Sequence, residues 1–406
     1  MKKINVLYIS GAVGLGHINR DLAIANQLRK LLPQVDIEWL AAHPVTTVLE
    51  EASEKLVPGA DQFSNENVAV EKAAKGTSLN SSLALLKASD AWKKNSELFL
   101  KLVAAKQYDL IIGDETYEIY LTLKEHKEMK KFPFVMIFDV VGLDAVTMNP
   151  LEHLVAYYWN RVWSYDYRHK LKPPYDLGFF VGELSDVPDK SFGFMLPNRR
   201  KWAEAFCTFI GYVFPFEVAQ YSDKQAIRKK LGYGDEPLLI CSIGGTAIGK
   251  EQLELCGKAC IIAKERIPNL HIVIVTGPRL SANTVNLPEG IEVKGFVPRL
   301  YEHFAACDLA IIQGGAASTF ELTALRKPFI YFPMEEHFEQ ASVSRILTQR
   351  GAGVKLRLSK TTPEILADKI LSTIGTNVTY PDIPKDGAQK AAQLLVKLIE
   401  QHSHKA

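Results

Sequence analysis

The stretch Gln313-Gly314-Gly315-Ala316-Ala317-Ser318-Thr319-Phe320-Glu321 sets glycines, hydroxyls and a carboxylate at spacings that suit a phosphorylated ligand. An apolar run, 309–312, stops at the two glycines, and a helix-compatible segment follows. A strand end opening into a helix turns bare backbone N–H groups outward, and Ser318 and Thr319 add hydroxyls, which together suit a phosphate. Glu321, two residues further on, can accept from the vicinal hydroxyls of a sugar. Past the next apolar run, 329–332, Glu339 and Gln340 open a second helix and can hydrogen-bond a hexose. Binders for phosphate, ribose and hexose in one short region describe a nucleotide-sugar site.

A second group stands near the amino end. Gly11, Gly14 and Gly16 follow the apolar run 4–10 and allow a tight strand-to-helix turn, with His17 immediately after them. The run 35–41 ends in Ala41-Ala42-His43, without the acidic residue that a dinucleotide ribose needs, so the loop is not a dinucleotide fingerprint. Taken alone, His17 reads as a polar residue of a first helical turn or as a group titrating near neutrality. Asp114, at the end of the run 109–113, either partners a histidine or caps the helix beginning near Glu115. Asp139, ending the run 133–139, is the substitute partner.

Two such signatures, in this order and a domain's length apart, resemble the GT-B glycosyltransferases of the UDP-glycosyltransferase superfamily. The similarity is to the bacterial branch that includes the peptidoglycan lipid-II N-acetylglucosaminyltransferase. The resemblance implies two doubly wound, Rossmann-like α/β domains facing across a cleft, and inverting transfer of a hexose from a UDP-sugar to an acceptor hydroxyl. It makes His17 the general base, Asp114 its partner, and Gly14 and Gly16 part of the acceptor-side loop.

On the donor side the resemblance assigns Gly244, Gly245 and Thr246 to a loop approaching the diphosphate. It assigns Phe296, in Gly295-Phe296-Val297-Pro298, to the nucleobase, and Gln313, Gly314, Gly315, Ser318, Thr319, Glu321, Glu339 and Gln340 to the donor. Arg279 reads as a phosphate contact or a solvated charge. Gln313 stands where many relatives carry a histidine; its amide can donate but bears no charge. No Asp-X-Asp-type pair is present to hold a divalent ion on a diphosphate, so no metal and no other cofactor is expected. The alternative is a nucleotide-sugar epimerase or hydrolase on the same fold. Against it, Met334-Glu335-Glu336-His337-Phe338-Glu339-Gln340 replaces the Arg- and Glu-rich run of such epimerases. A non-catalytic binding subunit is a third reading, disfavoured by His17 standing beside a complete donor signature.

The elements that must position these residues alternate between apolar runs and helical patterns. Runs 4–10, 35–41, 109–113, 133–139 and 207–211 read as strands of a first half, with helices at 17–32 and 82–105. Runs 237–243, 271–276, 309–312 and 329–332 read as strands of a second half, with helices at 250–266, 316–326 and 337–349. This alternation implies parallel sheets covered on both faces, with ligands at the carboxyl ends of the strands. The expected division is 1–212, an acceptor-binding domain; 213–385, a donor-binding domain; and 386–406, a helix crossing back to the first.

A chain of 406 residues fits two domains of about 200 residues each. The net charge of +2 disfavours nucleic acid, which needs a concentrated basic face. Five cysteines in mostly apolar runs, without His or Cys partner pairs, read as buried thiols of a cytoplasmic protein. No stretch approaches the roughly 18 apolar residues of a membrane span. The aromatic and basic region 157–170 has three readings: a membrane-interface patch serving a lipid-linked acceptor, a pocket for a small hydrophobic acceptor, or a helix stripe packed into the core. The expected partners are therefore a UDP-sugar and a hydroxyl acceptor, lipid-linked or small, with peripheral membrane contact under the first reading. The sugar, and the choice between UDP and dTDP, stay open.

Overall fold

A computed structural model of the chain describes residues 3–11, 15–64, 89–245 and 248–403. Gly14, Thr246 and the polar stretch holding Asn65, Glu66 and Asn67 lie outside the described residues. The chain forms two compact units: one made of the residues up to Pro215 with Pro384 onward, the other of Phe216–Ile383.

In the first unit seven parallel strands stand in the order β3-β2-β1-β4-β5-β6-β7. They are β1 (Ile4–Ser10), β2 (Val35–Leu40), β3 (Lys55–Leu56), β4 (Leu110–Asp114), β5 (Phe134–Phe138), β6 (Leu177–Val181) and β7 (Thr208–Gly211). A parallel sheet is buried on both faces, so its strands must be apolar at successive positions. Accordingly Leu7, Ile9, Ile111 and Phe134 enter one core, and Val6, Tyr8, Ile112 and Val135 enter the other. Ile18, Ile24 and Leu28 of the helix Leu15–Leu31 close the second face. Beside them lie Ala391, Ala392, Leu395 and Ile399 of the helix Gly387–Ser403.

The second unit repeats the plan with six parallel strands, in the order β10-β9-β8-β11-β12-β13. They are β8 (Leu238–Ser242), β9 (His271–Val275), β10 (Glu292–Lys294), β11 (Leu309–Gln313), β12 (Phe329–Phe332) and β13 (Val354–Lys355). Cys256 and Cys260 pack into its core with Leu253, Leu366 and Ile370, and all five cysteines are free thiols.

Strand order reverses between β1 and β4 in the first sheet and between β8 and β11 in the second. Ligands in open α/β sheets bind outside the carboxyl ends at such reversals. Both glycine-rich loops read from the sequence leave these strands.

Strands β3, β6, β10 and β13 go beyond the elements read from the sequence. Pro173-Pro174 before β6, Gly178 inside it and Gly182 after it interrupt the apolar pattern. In the fold a Cβ at Gly178 would lie 2.5 Å from the Phe206 carbonyl oxygen, so the strand can run there only as glycine. The aromatic region divides as well. Trp163 and Tyr167 pack against the core, Trp163 edge-on to Trp202 and Tyr167 to Phe206, while Tyr158 and Tyr165 face outward.

Candidate functional sites at the two strand reversals

In the first unit β1 ends at Ser10, and its neighbour in register on β4 is Asp114. Gly11 is required here: a Cβ would lie 2.8 Å from the Asp114 carbonyl oxygen. The following helix places His17 in its first turn and Arg20 three residues on, on the same side. His17 Nδ1 lies 3.0 Å from Asp114 Oδ2, and Nε2 lies 3.7 Å from Asp139 Oδ2. Arg20 joins the two carboxylates. Its Nε and Nη2 donate to Asp114 at 3.1 and 2.5 Å, and its Nη1 donates to Asp139 at 3.0 Å. Arg20 Nη2 is also 2.8 Å from His17 Nδ1. Asp114 does not cap the next helix; the N-cap of Tyr117–Glu125 is Thr116.

Glu115, buried and in the left-handed region at φ 51, belongs to the same cluster. One ligand-type atom each of His17, Glu115 and Asp139 lie within 4.8 Å of one another. Such a trio resembles a cation site in spacing, but the Arg20 guanidinium already bonds Asp139, and its fixed charge opposes a second cation. We therefore read the group as a proton-handling cluster. Behind it, Asp21 accepts from Tyr8 Oη at 2.9 Å and Ser10 Oγ at 2.6 Å.

The charges divide in a consistent way. Burial and the Arg20 guanidinium both disfavour the His17 imidazolium, yet Asp114 and Asp139 outweigh them and raise its pKa above the ordinary value. Burial works against the Asp114 carboxylate, but Arg20 and His17 overcome it and hold the group below the usual range; Asp139 behaves likewise. Asp21 is pushed well above that range by burial and then by Asp114. Arg20 and Glu115 were not picked out by sequence reasoning. An Arg three residues after a His on a helix is the available signal, and it looks like any solvated charge.

In the second unit the loops after β8 and β11 bring Gly244, Gly245, Gly314 and Gly315 to adjacent strand ends. Gly244 takes φ +72, and its N–H donates to Ser242 Oγ at 3.1 Å. Gly314 is fixed by close packing: a Cβ there would meet Pro333 Cα at 2.9 Å. Gly315 caps the helix Ala316–Ala324 without a side-chain hydrogen bond and opens onto free space. First-turn N–H groups at such an end are available to an anion.

The side chains expected on the donor divide into two kinds. Thr319 is buried, and its hydroxyl donates to the carbonyls of Gly315 and Ala316, so it serves the helix. Gln313 Nε2 donates to Ile248 O at 2.6 Å, and Gln340 Oε1 accepts from Met334 N at 2.7 Å; both tie loops together. Ser318 and Glu339 are partly exposed, and Phe296 is exposed beyond β10. Glu321 is 8% exposed, its carboxyl hydrogen-bonds to no other described residue, and burial alone raises its pKa to about 7. A carboxylate buried without a partner is costly unless a ligand supplies one.

Residues 240–398 match the glycosyltransferase family 28 C-terminal domain. Among curated proteins, the chain is 29% identical over 180 residues to a UDP-N-acetylglucosamine--N-acetylmuramyl-(pentapeptide) pyrophosphoryl-undecaprenol N-acetylglucosamine transferase of Carboxydothermus hydrogenoformans, covering 43% of this chain and 47% of that protein. The match thus spans about half the length of that relative. An uncharacterized glycosyltransferase of Methanosarcina acetivorans is 23% identical over 381 residues, covering 91% of this chain and 89% of that one. Among solved structures, the glycotransferase of kitacinnamycin superposes with a TM-score of 0.60 at 15% identity, over 98% of this chain and 96% of that one. The chain has the fold of solved GT-B glycosyltransferases, and its similarity to the glycosyltransferase family 28 C-terminal domain lies in residues 240–398.

Proposed function

We propose that the chain is an inverting glycosyltransferase that moves a hexose from a UDP-sugar to an acceptor hydroxyl, with His17 as general base. The observation that carries this reading is the His17–Asp114 pair at the β1/β4 reversal, Nδ1 to Oδ2 at 3.0 Å. With Nδ1–H donating to the carboxylate, Nε2 keeps its lone pair for a proton. In the reaction Nε2 takes the proton of the acceptor hydroxyl as its oxygen attacks the anomeric carbon. The carbon–oxygen bond to the diphosphate breaks on the opposite face, and its electron pair leaves with UDP. Asp114 stabilises the imidazolium, while backbone N–H groups at Gly315 and the following turn stabilise charge on the departing diphosphate. Glu321 accepts from the ribose hydroxyls. This chemistry needs no metal.

The acceptor we propose is lipid-linked, like the pyrophosphoryl-undecaprenol acceptor for which the Carboxydothermus relative is named. The apolar residues left in water support this. The chain leaving β5 beyond Asp139 exposes Met148 (92%), then Leu151, Leu154 and Tyr158 along one face of the helix Pro150–Trp163. Phe194 (81%) and Met195 (85%) lie beside them, with the Tyr157 hydroxyl donating to the Phe194 carbonyl. His153, Arg161, His169 and Lys170 are exposed on the same segments. Apolar residues with basic neighbours suit an anionic bilayer surface. Among the described residues no helix is long and apolar enough to cross a membrane.

A screen of UDP-sugars against lipid-linked and soluble acceptors, followed by His17→Ala, tests the reading. Turnover should fall by roughly 10²–10⁴-fold, the usual worth of a positioned base. UDP affinity should stay nearly unchanged. Lost thermal stability with turnover per folded molecule preserved would make His17 structural, and epimer formation without acceptor would defeat transfer altogether.

A further inference from the structure

The His17 ring lies between two carboxylates, and a single guanidinium joins those carboxylates behind it. Arg20 reaches Asp114 through two nitrogens and Asp139 through a third, and its Nη2 comes within 2.8 Å of the ring. We propose that Arg20 is a positioning residue that opposes protonation of His17 before reaction and keeps its Nδ1–H on Asp114, by fixing Asp114 on one ring nitrogen and cancelling one of the two carboxylate charges. This rests on His17 being the base.

The groups facing the ring come from three elements. The helix carrying His17 contributes Arg20 and, behind it, Asp21; the end of β4 contributes Asp114 and Glu115; the residue after β5 is Asp139. Burial and Asp114 push the Asp21 pKa up, and a side-chain hydrogen bond from Glu115 stabilises the Asp139 carboxylate. Closest to the ring, the Asp114 and Asp139 carboxylates stand against the single positive charge of Arg20. Arg20 leaves part of the carboxylate charge uncancelled, so the ring still attracts the proton of an acceptor. Without Arg20 both carboxylate charges act on the ring, and only burial opposes the imidazolium. Protonation at rest would be favoured, taking the lone pair that a base needs.

Geometry makes the same point. Nδ1 cannot serve a carboxylate and a guanidinium at once, since the first needs an N–H and the second a lone pair. Asp114 is fully buried and accepts from Arg20 as well, so Nδ1–H to Asp114 satisfies one of the lone pairs that Arg20 leaves. The reverse assignment would set a ring lone pair against a carboxylate oxygen. Arg20 thereby holds Asp114 in the position that selects the tautomer and leaves Nε2 for the acceptor.

The test is a ¹⁵N-histidine NMR titration of the whole protein, with the His17 signal assigned by its loss in H17Q. It is repeated for R20K and R20M, and the pH profile of kcat/KM is measured on all three proteins once an acceptor is known. In the unsubstituted protein the neutral ring should show protonated Nδ1. In R20M the ring should titrate higher by roughly one to three pH units, the usual effect of one nearby charge. The acid limb of kcat/KM should move with it, so that lost activity returns at higher pH. R20K keeps the charge but cannot bond both carboxylates, and its titration should move part of the way. A His17 titration unchanged in folded R20K, whether or not R20M folds, overturns the proposal, as does protonated Nε2 in the unsubstituted protein. The titration needs no substrate. A shifted titration in a protein with no transferase activity would leave Arg20's role standing and remove the base reading instead.

Discussion

Glu321 is the residue whose environment and proposed task pull in opposite directions. Its carboxyl pKa, raised to about 7 by burial, lies above the unfolded value, so the folded state binds more protons across that interval. Stability should therefore be fullest below about pH 4.5 and decline as pH rises through about 7, by up to about 3 kcal/mol at roughly 1.4 kcal/mol per pH unit. Glu321→Gln should raise the melting temperature above neutrality while weakening UDP binding by roughly 1–3 kcal/mol. Calorimetric titration with UDP in EDTA should give binding that strengthens from about pH 6 to about pH 8 and releases a proton, because ribose hydroxyls prefer the carboxylate. Unchanged UDP affinity in the Gln variant would remove Glu321 from the donor site, and loss of binding in EDTA would contradict metal independence. Legibility at this scale followed distance along the chain. Ser318 and Thr319 look equivalent in sequence, but helix phase turns Thr319 inward and leaves Ser318 at the surface. Asp114 could be read as a cap or a partner; only packing across 97 positions decides which side chain it meets.

At the scale of elements, the long buried strands were plain. β1 and β12 run over the same residues that the apolar pattern marks, because a strand covered on both faces is apolar at most successive positions. Shorter strands were hidden for separate reasons: β3 and β13 have two residues each, and β10 is Glu-Val-Lys on an edge. The glycine pair after β11 reads as one motif, but its members should respond differently to substitution. Gly314→Ala drives a methyl against Pro333 and should cost about 1–3 kcal/mol, the usual range for overpacking. Gly315→Ala meets open space at an ordinary φ of −71, so folding should be preserved while UDP binding weakens as the methyl enters the anion's approach. Thermal melts and UDP titrations on both variants check the contrast; equal melting temperatures would refute the close-packing argument for Gly314.

Two surfaces matter at the scale of the whole molecule. The outward apolar face around Met148 and Phe194 should bind vesicles containing anionic lipid more tightly than neutral ones, and Met148→Ser with Phe194→Ser should reduce sedimentation with them several-fold without altering the melt. Vesicle binding indifferent to both changes would move the membrane contact elsewhere. The region was legible only as aromatic and basic, because helical phase, which sends Trp163 inward and Tyr158 outward, is lost in a simple count of rings. The second surface is the one that the helix Gly387–Ser403 covers. Tyr212 N–H donates to Pro384 O at 3.0 Å and Gly387 N–H to Tyr212 O at 3.2 Å, tying the returning chain to the segment that left the first unit. Removing residues 384–403 should speed hydrogen exchange in β1, β2 and β4 and spare 216–383; uniform protection after truncation would show that the helix is dispensable.

That returning helix also sets an order of events during synthesis. The first unit lacks part of its core until residue 403 has been added, whereas the second has all of its strands once residue 383 is made. At roughly 5–20 residues per second the amino-terminal segment waits about 10–40 s after residue 215 with Ile24 and Leu28 uncovered. The half that is translated second can therefore be the first to finish folding.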